Sequence, residues 1–208
     1  CPYHEDILPH WEQFVDDLTQ NANDLENFSI TRVMLPPSPF FSTKIMPVLM
    51  TNTTITSLVL EDCNLNASAI EPISKFVKKN KVSVLNLSKN SLFGNDDGTN
   101  AAKLLTKALK KHPELSHVNL ATTGLGQNNN ALKMLIEGSK DINSVIIDDN
   151  VVDADGLGII TNTLQKKNAV TEFSMEGLGI GDGESAVAKA KLLKECLEKN
   201  ATLEQLCL

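Results

Sequence analysis

Residues 55–65 read I-T-S-L-V-L-E-D-C-N-L, and this stretch decides the fold. Its apolar residues fill a frame L-x-x-L-x-L with Ile55, Leu58 and Leu60. Apolar residues that alternate over about five positions indicate a short strand with one buried side. Cys63 and Leu65 carry the pattern into the turn that follows. The stretch is therefore predicted to form one strand and one turn of a larger unit.

The same frame recurs along the chain, so residues 55–65 belong to a tandem repeat. A helical spacing of apolar residues follows each frame, as with Ile70, Ile73 and Val77 in the second unit. One such unit cannot bury enough apolar surface to fold alone, so neighbouring units must stack. The units start at Leu25, Ile55, Val82, Leu115, Ile142, Val170 and Leu203.

The two ends of the chain differ from the repeats. Trp11, Phe14, Val15 and Leu18 lie at helical spacing, which predicts a capping helix segment over residues 1–24. Residues 25–208 form the predicted repeat domain. Its last strand frame, at Leu203, is followed at once by the end of the sequence. Because an uncapped strand is an exposed edge, we expect this domain to be truncated, with further repeats or another chain covering the edge.

The frame L-x-x-L-x-L-x-x-N/C-x-L, followed by a full helix at intervals of 27–33 residues, resembles leucine-rich repeats of the ribonuclease-inhibitor type. The resemblance covers residues 25–208. It implies an α/β solenoid, or horseshoe, with about seven short parallel strands on the concave side and helices on the convex side. It also implies an intracellular protein that binds other proteins. The phrase K-N-A-T-L at 199–203 resembles a helix-to-strand boundary in actin-capping proteins of the tropomodulin kind.

Charge and composition exclude several function classes. The net charge of −7 and the pI near 5.1 argue against nucleic acid as the partner, because phosphate binding needs a basic surface. Apolar runs stay well below the ~18 residues of a membrane helix, so no membrane insertion is predicted. The cysteine spacing fits neither metal binding nor a disulfide framework, which favours a cytoplasmic setting. Targeting to an organelle stays open, because the chain begins at Cys1 and its true start can be missing.

The candidate binding surface is the outward face of the predicted strands. Side chains two apart in a strand share a face, so outward residues of successive units form one patch. Exposed apolar residues set among acids favour a protein partner with basic and apolar surface. A merely solvated sheet face is the alternative. The candidates are Val59, Glu61, Asp62, Val84, Asn86, His117, Asn119, Ile146, Asp148, Asp149, Glu172 and Glu176.

The third and sixth units carry Gly-rich, acidic insertions around residues 93–100 and 179–188. In a solenoid such insertions are predicted to emerge as loops on one edge, where Asp96, Asp97, Asp182 and Glu184 could add to a binding surface. Neither insertion follows the twelve-residue calcium loop with its terminal bidentate Glu. The glycines around residue 180 also lack the Lys of a phosphate-binding loop. No metal and no cofactor are predicted.

Three functions are consistent with these patterns. The first is a non-catalytic interaction module or scaffold, since no nucleophile, base and acid can be assigned to one rigid site. The second is a GTPase-activating or other regulatory protein that uses the single arginine, Arg32. The third is an architectural subunit of a larger complex, or a cytoskeletal protein similar to actin-capping proteins. The first hypothesis is preferred, so the chain is predicted not to be an enzyme.

Overall fold

The computed structural model describes residues 5–21, 24–36, 39–110, 112–166, 168–179 and 184–208. Its central feature is one seven-stranded sheet in which every neighbouring pair of strands is parallel and spatial order equals chain order. This confirms the predicted α/β solenoid. The strands are β1 Asn27–Thr31, β2 Ser57–Glu61, β3 Val84–Asn86, β4 His117–Asn119, β5 Ser144–Ile146, β6 Glu172–Ser174 and β7 Gln205–Cys207.

A helix lies in each connection between strands, and α3 to α7 pack side by side along one face of the sheet. A π-helical turn at Phe41–Ile45 runs into the short helix of the first unit, and single 3₁₀ turns lie at Glu5–Ile7, Ala67–Ala69 and Leu125–Gln127. The helices are α1 Leu8–Asn21, α2 Met46–Leu49, α3 Ile70–Lys79, α4 Gly98–Leu109, α5 Asn129–Gly138, α6 Ala154–Leu164 and α7 Glu184–Lys199.

One continuous core fills the space between the sheet and the helices. In the quoted stretch, Ile55, Leu58 and Leu60 are fully buried, and Cys63 and Leu65 close the core at the turn. The second unit's helix contributes Ile70, Ile73 and Val77, which are also fully buried. Side chains one position away on the strands, such as Val59, lie on the opposite face. The period of two in the frame therefore produces one buried and one open face of the sheet, and the open one is the concave face.

The N-terminal helix α1 is fourteen residues long and packs against α2. Leu18 is buried, and the Trp11 ring meets Phe14 edge-on with ring centroids 5.5 Å apart. A second edge-on contact joins Trp11 to Phe40, with centroids 6.4 Å apart. The aromatic residues of α1 thus cover the helix side of the first unit.

The prediction that both insertions emerge as edge loops was wrong in part. In the third unit, Phe93 is fully buried, and the chain doubles back so closely that a Cβ on Gly98 would lie 2.1 Å from the Phe93 carbonyl oxygen. Only a short exposed turn remains, and it holds Asp96 and Asp97. Glu184 is the first residue of α7 and not part of a loop, whereas Asp182 lies outside the described residues. Apolar burial and helix extension have absorbed much of the extra length.

Candidate functional site: the concave face

The register of the sheet aligns the outward residues of successive strands in two rows. Alignment across a parallel sheet brings such side chains about 4.8 Å from their neighbours on one face. The first row consists of Asn27, Ser57, Val84, His117, Ser144, Glu172 and Gln205. The second row consists of Ser29, Val59, Asn86, Asn119, Ile146, Ser174 and Cys207.

The two rows enclose a shallow depression in the middle of the concave face, with a volume of about 280 Å³. Its apolar lining comes from Val59, Val84 and Ile146, all of which are half-buried. Polar groups at its margin can hydrogen-bond a ligand, and those among the predicted residues are Asn86, His117 and Asn119. The structure therefore brings six of the predicted residues into a single site.

Beyond the two rows, each of the first six strands is followed by a residue with left-handed backbone. Their φ angles lie between 53° and 67°, a region that favours glycine and, less strongly, asparagine and aspartate. Five of these residues donate their N–H to a carbonyl of the next unit, as Arg32 does to Glu61 at 2.9 Å and Asp149 to Glu176 at 2.8 Å. The residues are Arg32, Asp62, Lys89, Thr122, Asp149 and Gly177.

The left-handed backbone of this row was not predicted from the sequence, because only Gly177 and the two aspartates have residue types that favour it. The row matters for the site because it contains Asp62 and Asp149. Both side chains are exposed, and both stand in the turns at one margin of the concave face.

Glu61 is already paired within the chain. Its Oε1 lies 2.7 Å from Lys89 Nζ, which donates a hydrogen bond across the sheet. The hydrogen bond and charge of Lys89, with a smaller effect of Arg32, hold the pKa of Glu61 below its usual range, although burial opposes them. Glu61 therefore already faces a cation of its own chain, because Lys89 follows β3 at the matching position, and its part in partner binding stays a prediction.

Asp148 also has a structural task. Its Oδ1 accepts hydrogen bonds from the Ser174 hydroxyl at 2.6 Å and from the Glu176 N–H at 2.8 Å. The carboxylate therefore fixes the end of β6 against β5. Glu172 and Glu176 themselves are exposed, as is Asp149. The acids that point to solvent are thus concentrated on the C-terminal half of the concave face.

Arg32 lies at the opposite end of this margin, directly after β1. Together with Asp62 and Lys89 it lines a small polar hollow of about 150 Å³. Its side chain is exposed, and its charge acts on Glu61. Arg32 is thus embedded in a mixed set of charges from its own chain.

Within the described ranges, no three His, Cys, Asp or Glu side chains come together in a way that could hold a metal ion. Of the helices in the described part of the chain, none has the length and apolar character that a bilayer crossing requires.

The chain matches no protein-family model and no curated protein sequence. Among solved structures, it is similar to the tropomodulin C-terminal domain of Caenorhabditis elegans, with a TM-score of 0.51. The match spans 90% of this chain and 93% of that domain, at 10% sequence identity. At such low identity the likeness concerns the fold alone. The chain therefore has a leucine-rich-repeat-like fold with a parallel sheet.

Proposed function

We propose that this protein is a non-catalytic interaction module, built from leucine-rich repeats of the ribonuclease-inhibitor type, that binds a partner protein through its concave face. The observation that carries the proposal is the central depression with Val59, Val84 and Ile146 at its base. Apolar side chains set in an open sheet face gain free energy only when another molecule covers them. Asn86, His117 and Asn119 at the margin supply the hydrogen-bonding groups that fix orientation.

The charges beside the depression support a partner with basic and apolar surface. Glu172 is registered with Ser144, which lines the depression, and so lies one strand spacing away from it. Asp149 and Glu176 continue this acidic side, while the exposed Asp96 and Asp97 lie in the turn before α4. An apolar anchor with basic residues on one side of it fits this arrangement. Cys63, Cys196 and Cys207 are free thiols, which supports an intracellular setting as part of the proposal.

The test compares two substitutions of the same kind. Val84→Lys places a cation in the depression, whereas Val151→Lys changes a valine that is 65% exposed in the turn before α6. Affinity capture with the intact protein should retain the same partner proteins with the wild type and with Val151→Lys. Val84→Lys should bind them at least tenfold more weakly, the equivalent of about 1.4 kcal/mol, and should therefore retain much less of each.

Charge reversal adds a second arm to this test. Glu172→Lys together with Glu176→Lys should weaken the same capture and leave folding intact, because both side chains are exposed. Asp148 and Glu61 are poorer targets, since reversal would also break contacts inside the sheet. Retention of every partner by both Val84→Lys and the double reversal would exclude the concave face as the binding site.

A second candidate is a cytoskeletal role of the actin-capping kind, favoured by the likeness in fold to the tropomodulin C-terminal domain. Under this proposal, the protein slows the elongation of actin filaments from one end. The measurement is elongation of fluorescent actin with and without the protein, with Val84→Lys as the comparison. Elongation that is the same in all three conditions would exclude this candidate.

A further inference from the structure

The net negative charge of this protein resides at its N-terminal end. Residues 1–31 contain seven Asp or Glu and neither Lys nor Arg, whereas the other 177 residues contain nineteen of each sign. The whole net charge of −7 therefore belongs to α1, β1 and the segments next to them. All seven acids are exposed: Glu5, Asp6, Glu12, Asp16, Asp17, Asp24 and Glu26.

The same end carries an open sheet edge. β1 is the first strand of the sheet and, in the part of the chain described, has a strand neighbour on one side only. The Glu26 carbonyl oxygen accepts a hydrogen bond from Thr56 N–H, and the Arg32 N–H donates one to the Glu61 carbonyl oxygen. Both residues therefore direct their backbone groups to β2. Because backbone groups alternate sides along a strand, those of Asn27, Ser29 and Thr31 point away from β2. This edge can therefore accept another strand.

An apolar groove accompanies this edge. It lies between α1 and β1, has a volume of about 540 Å³, and is lined by Ile7, Trp11, Phe14, Ile30 and Val33 among others. Val33 is 42% exposed, which is unusual for a position that is buried in later units, where Cys63 and Thr123 occupy it. Since α1 packs against α2, the groove beside β1 stays open.

We propose that this end of the molecule is a second docking surface, whose occupant is an extended, basic segment of a partner protein that adds a strand to β1. Backbone groups of β1 supply the hydrogen bonds, and the groove receives the apolar side chains on one side of the added strand. The seven acids select Lys and Arg on that segment and repel acidic ones. The surface is separate from the central depression and does not rest on it.

The probe is a fluorescein-labelled peptide of about seven residues in which lysine and valine alternate. The comparison peptide has glutamate in place of lysine. Fluorescence anisotropy with the full chain should show at least ~10-fold tighter binding of the lysine peptide, as complementary charge requires. A lysine peptide with the same composition, but with its valines grouped at one end, should bind less tightly than the alternating one, because a strand presents every second side chain to the groove.

A matched pair of substitutions tests the strand addition itself. Thr31→Pro removes an N–H that points away from β2, and proline is tolerated on an edge strand whose N–H is not used. Thr31→Ala removes the same hydroxyl but keeps the N–H. The proline variant should weaken binding of the lysine peptide at least ~10-fold, and the alanine variant should leave it nearly unchanged, since main-chain hydrogen bonds carry affinity in this binding mode. Val33→Asp should weaken it as well.

Charge is tested by a second matched pair. Asp24→Asn with Glu26→Gln removes two exposed acids directly before β1, while Asp96→Asn with Asp97→Asn removes two acids from the turn before α4. The first pair alone should reduce the affinity for the lysine peptide. Equal effects of the two pairs would show attraction to net charge only and would overturn the proposal.

Three further results would overturn it. The first is equal binding of the lysine and glutamate peptides. The second is unchanged binding by Thr31→Pro when circular dichroism shows that variant to be folded. The third is reversible self-association of the wild type in sedimentation velocity without peptide, lost in Thr31→Pro. That result would make a second copy of this chain the occupant in place of a basic segment.

Discussion

The turns that follow the first five strands are of two kinds, and the two kinds alternate along the solenoid. In the second and fourth units, a side chain of the next unit holds the turn. Asn90 Oδ1 accepts from Cys63 N–H at 3.1 Å and from Leu65 N–H at 2.9 Å, and Asn150 makes the same pair of bonds at the same distances with Thr123 and Leu125. We call these the asparagine-held turns.

In the first, third and fifth units, a backbone carbonyl of the next unit holds the turn. The N–H groups of Leu35, Leu92 and Val152 donate to it over 3.4, 3.2 and 3.3 Å. Most of these bonds are longer than those of the asparagine-held turns, and the third unit adds a second one, from the Phe93 N–H to the Thr123 carbonyl oxygen at 3.1 Å. Their carbonyl partners are Cys63, Thr123 and Leu178.

The difference between the two kinds of turn comes from the amide group. Besides its two accepted bonds, the Asn150 amide donates to the carbonyl oxygens of Leu120, Ile147 and Asp148 at 2.8 to 3.2 Å. One buried side chain thereby ties two neighbouring units together through five backbone groups. An asparagine at this position therefore holds the turn of the unit before it. Because Asn90 and Asn150 hold the turns that contain Cys63 and Thr123, those two positions do not themselves require asparagine.

The substitution expected to have the largest effect on these turns is Asn150→Ala. Removal of the amide leaves two N–H and three carbonyl groups without this partner in a buried place, so the free energy of unfolding should fall by about 3 kcal/mol. Urea unfolding followed by circular dichroism measures it. Asn130→Ala, at an exposed position in the first turn of α5, is the control and should change stability little. A loss no larger than that of Asn130→Ala would contradict the role assigned to the amide.

Thr123→Val addresses the residue that takes the asparagine's place in the fourth unit. The substitution keeps the shape but removes a hydroxyl that donates to the Leu120 carbonyl oxygen at 2.7 Å. The free energy of unfolding should fall by about 1 kcal/mol, clearly less than with Asn150→Ala. Thr106→Val is a matched control, because the buried Thr106 hydroxyl has no hydrogen-bond partner in the described chain. That control should be neutral or stabilising, and equal losses at both sites would refute the comparison.

Thr122→Asn tests the left-handed row, which runs through both kinds of turn. Thr122 has φ of 53°, which is strained for a β-branched residue, whereas asparagine tolerates this region. The free energy of unfolding should rise by about 0.5 kcal/mol, part of the ~1–2 kcal/mol cost of left-handed backbone. The same substitution at Thr53, which is exposed and outside that row, should give no gain. A gain of equal size at Thr53 would point to a cause other than backbone strain.

The smallest effect concerns the ion pair that joins the second and third units beside their turns. Because the pKa of Glu61 in the folded chain is lowered from its ordinary value of 4.5, the pair adds stability above that pH. This contribution disappears as the pH falls through the lowered pKa. Lys89→Met should therefore cost about 0.3 kcal/mol at neutral pH, a small value because Lys89 is half exposed.

The measurement is the stability difference between Lys89→Met and the wild type over the acid range, at low and high salt. The difference should shrink below pH 4.5 and in 1 M salt, since screening weakens such pairs. A difference that is constant in both variables would assign the loss to packing of the lysine stem.

The sequence anticipated the rows of the concave face because the frame has a period of two. That period dictates which of Leu58 and Val59 is buried, and equal frames in every unit align the outward residues. It also indicated a buried polar residue in the turn. It did not indicate which unit that residue serves, because the bonds of Asn90 and Asn150 to the preceding unit depend on stacking.

The candidate site was only half predictable for the same reason. Val59, Val84 and Ile146 share a depression because the strand register aligns them, and the frame foretold this alignment. Whether an acid is already bonded within the chain depended on contacts between units. Lys89 neutralises Glu61, and Ser174 and the backbone of Glu176 occupy Asp148, through contacts 26 to 28 residues apart in the chain.

By itself, the sequence determined that this is a stacked repeat with one buried and one open sheet face, since hydrophobic periodicity is local. Tertiary structure alone decided the rest. The left-handed backbone at Arg32, Lys89 and Thr122 exists because the next unit offers a carbonyl to each N–H. The open groove at β1 exists because α1 packs on α2 and leaves that edge free. Such features arise only when units meet, and no single stretch of the chain encodes them.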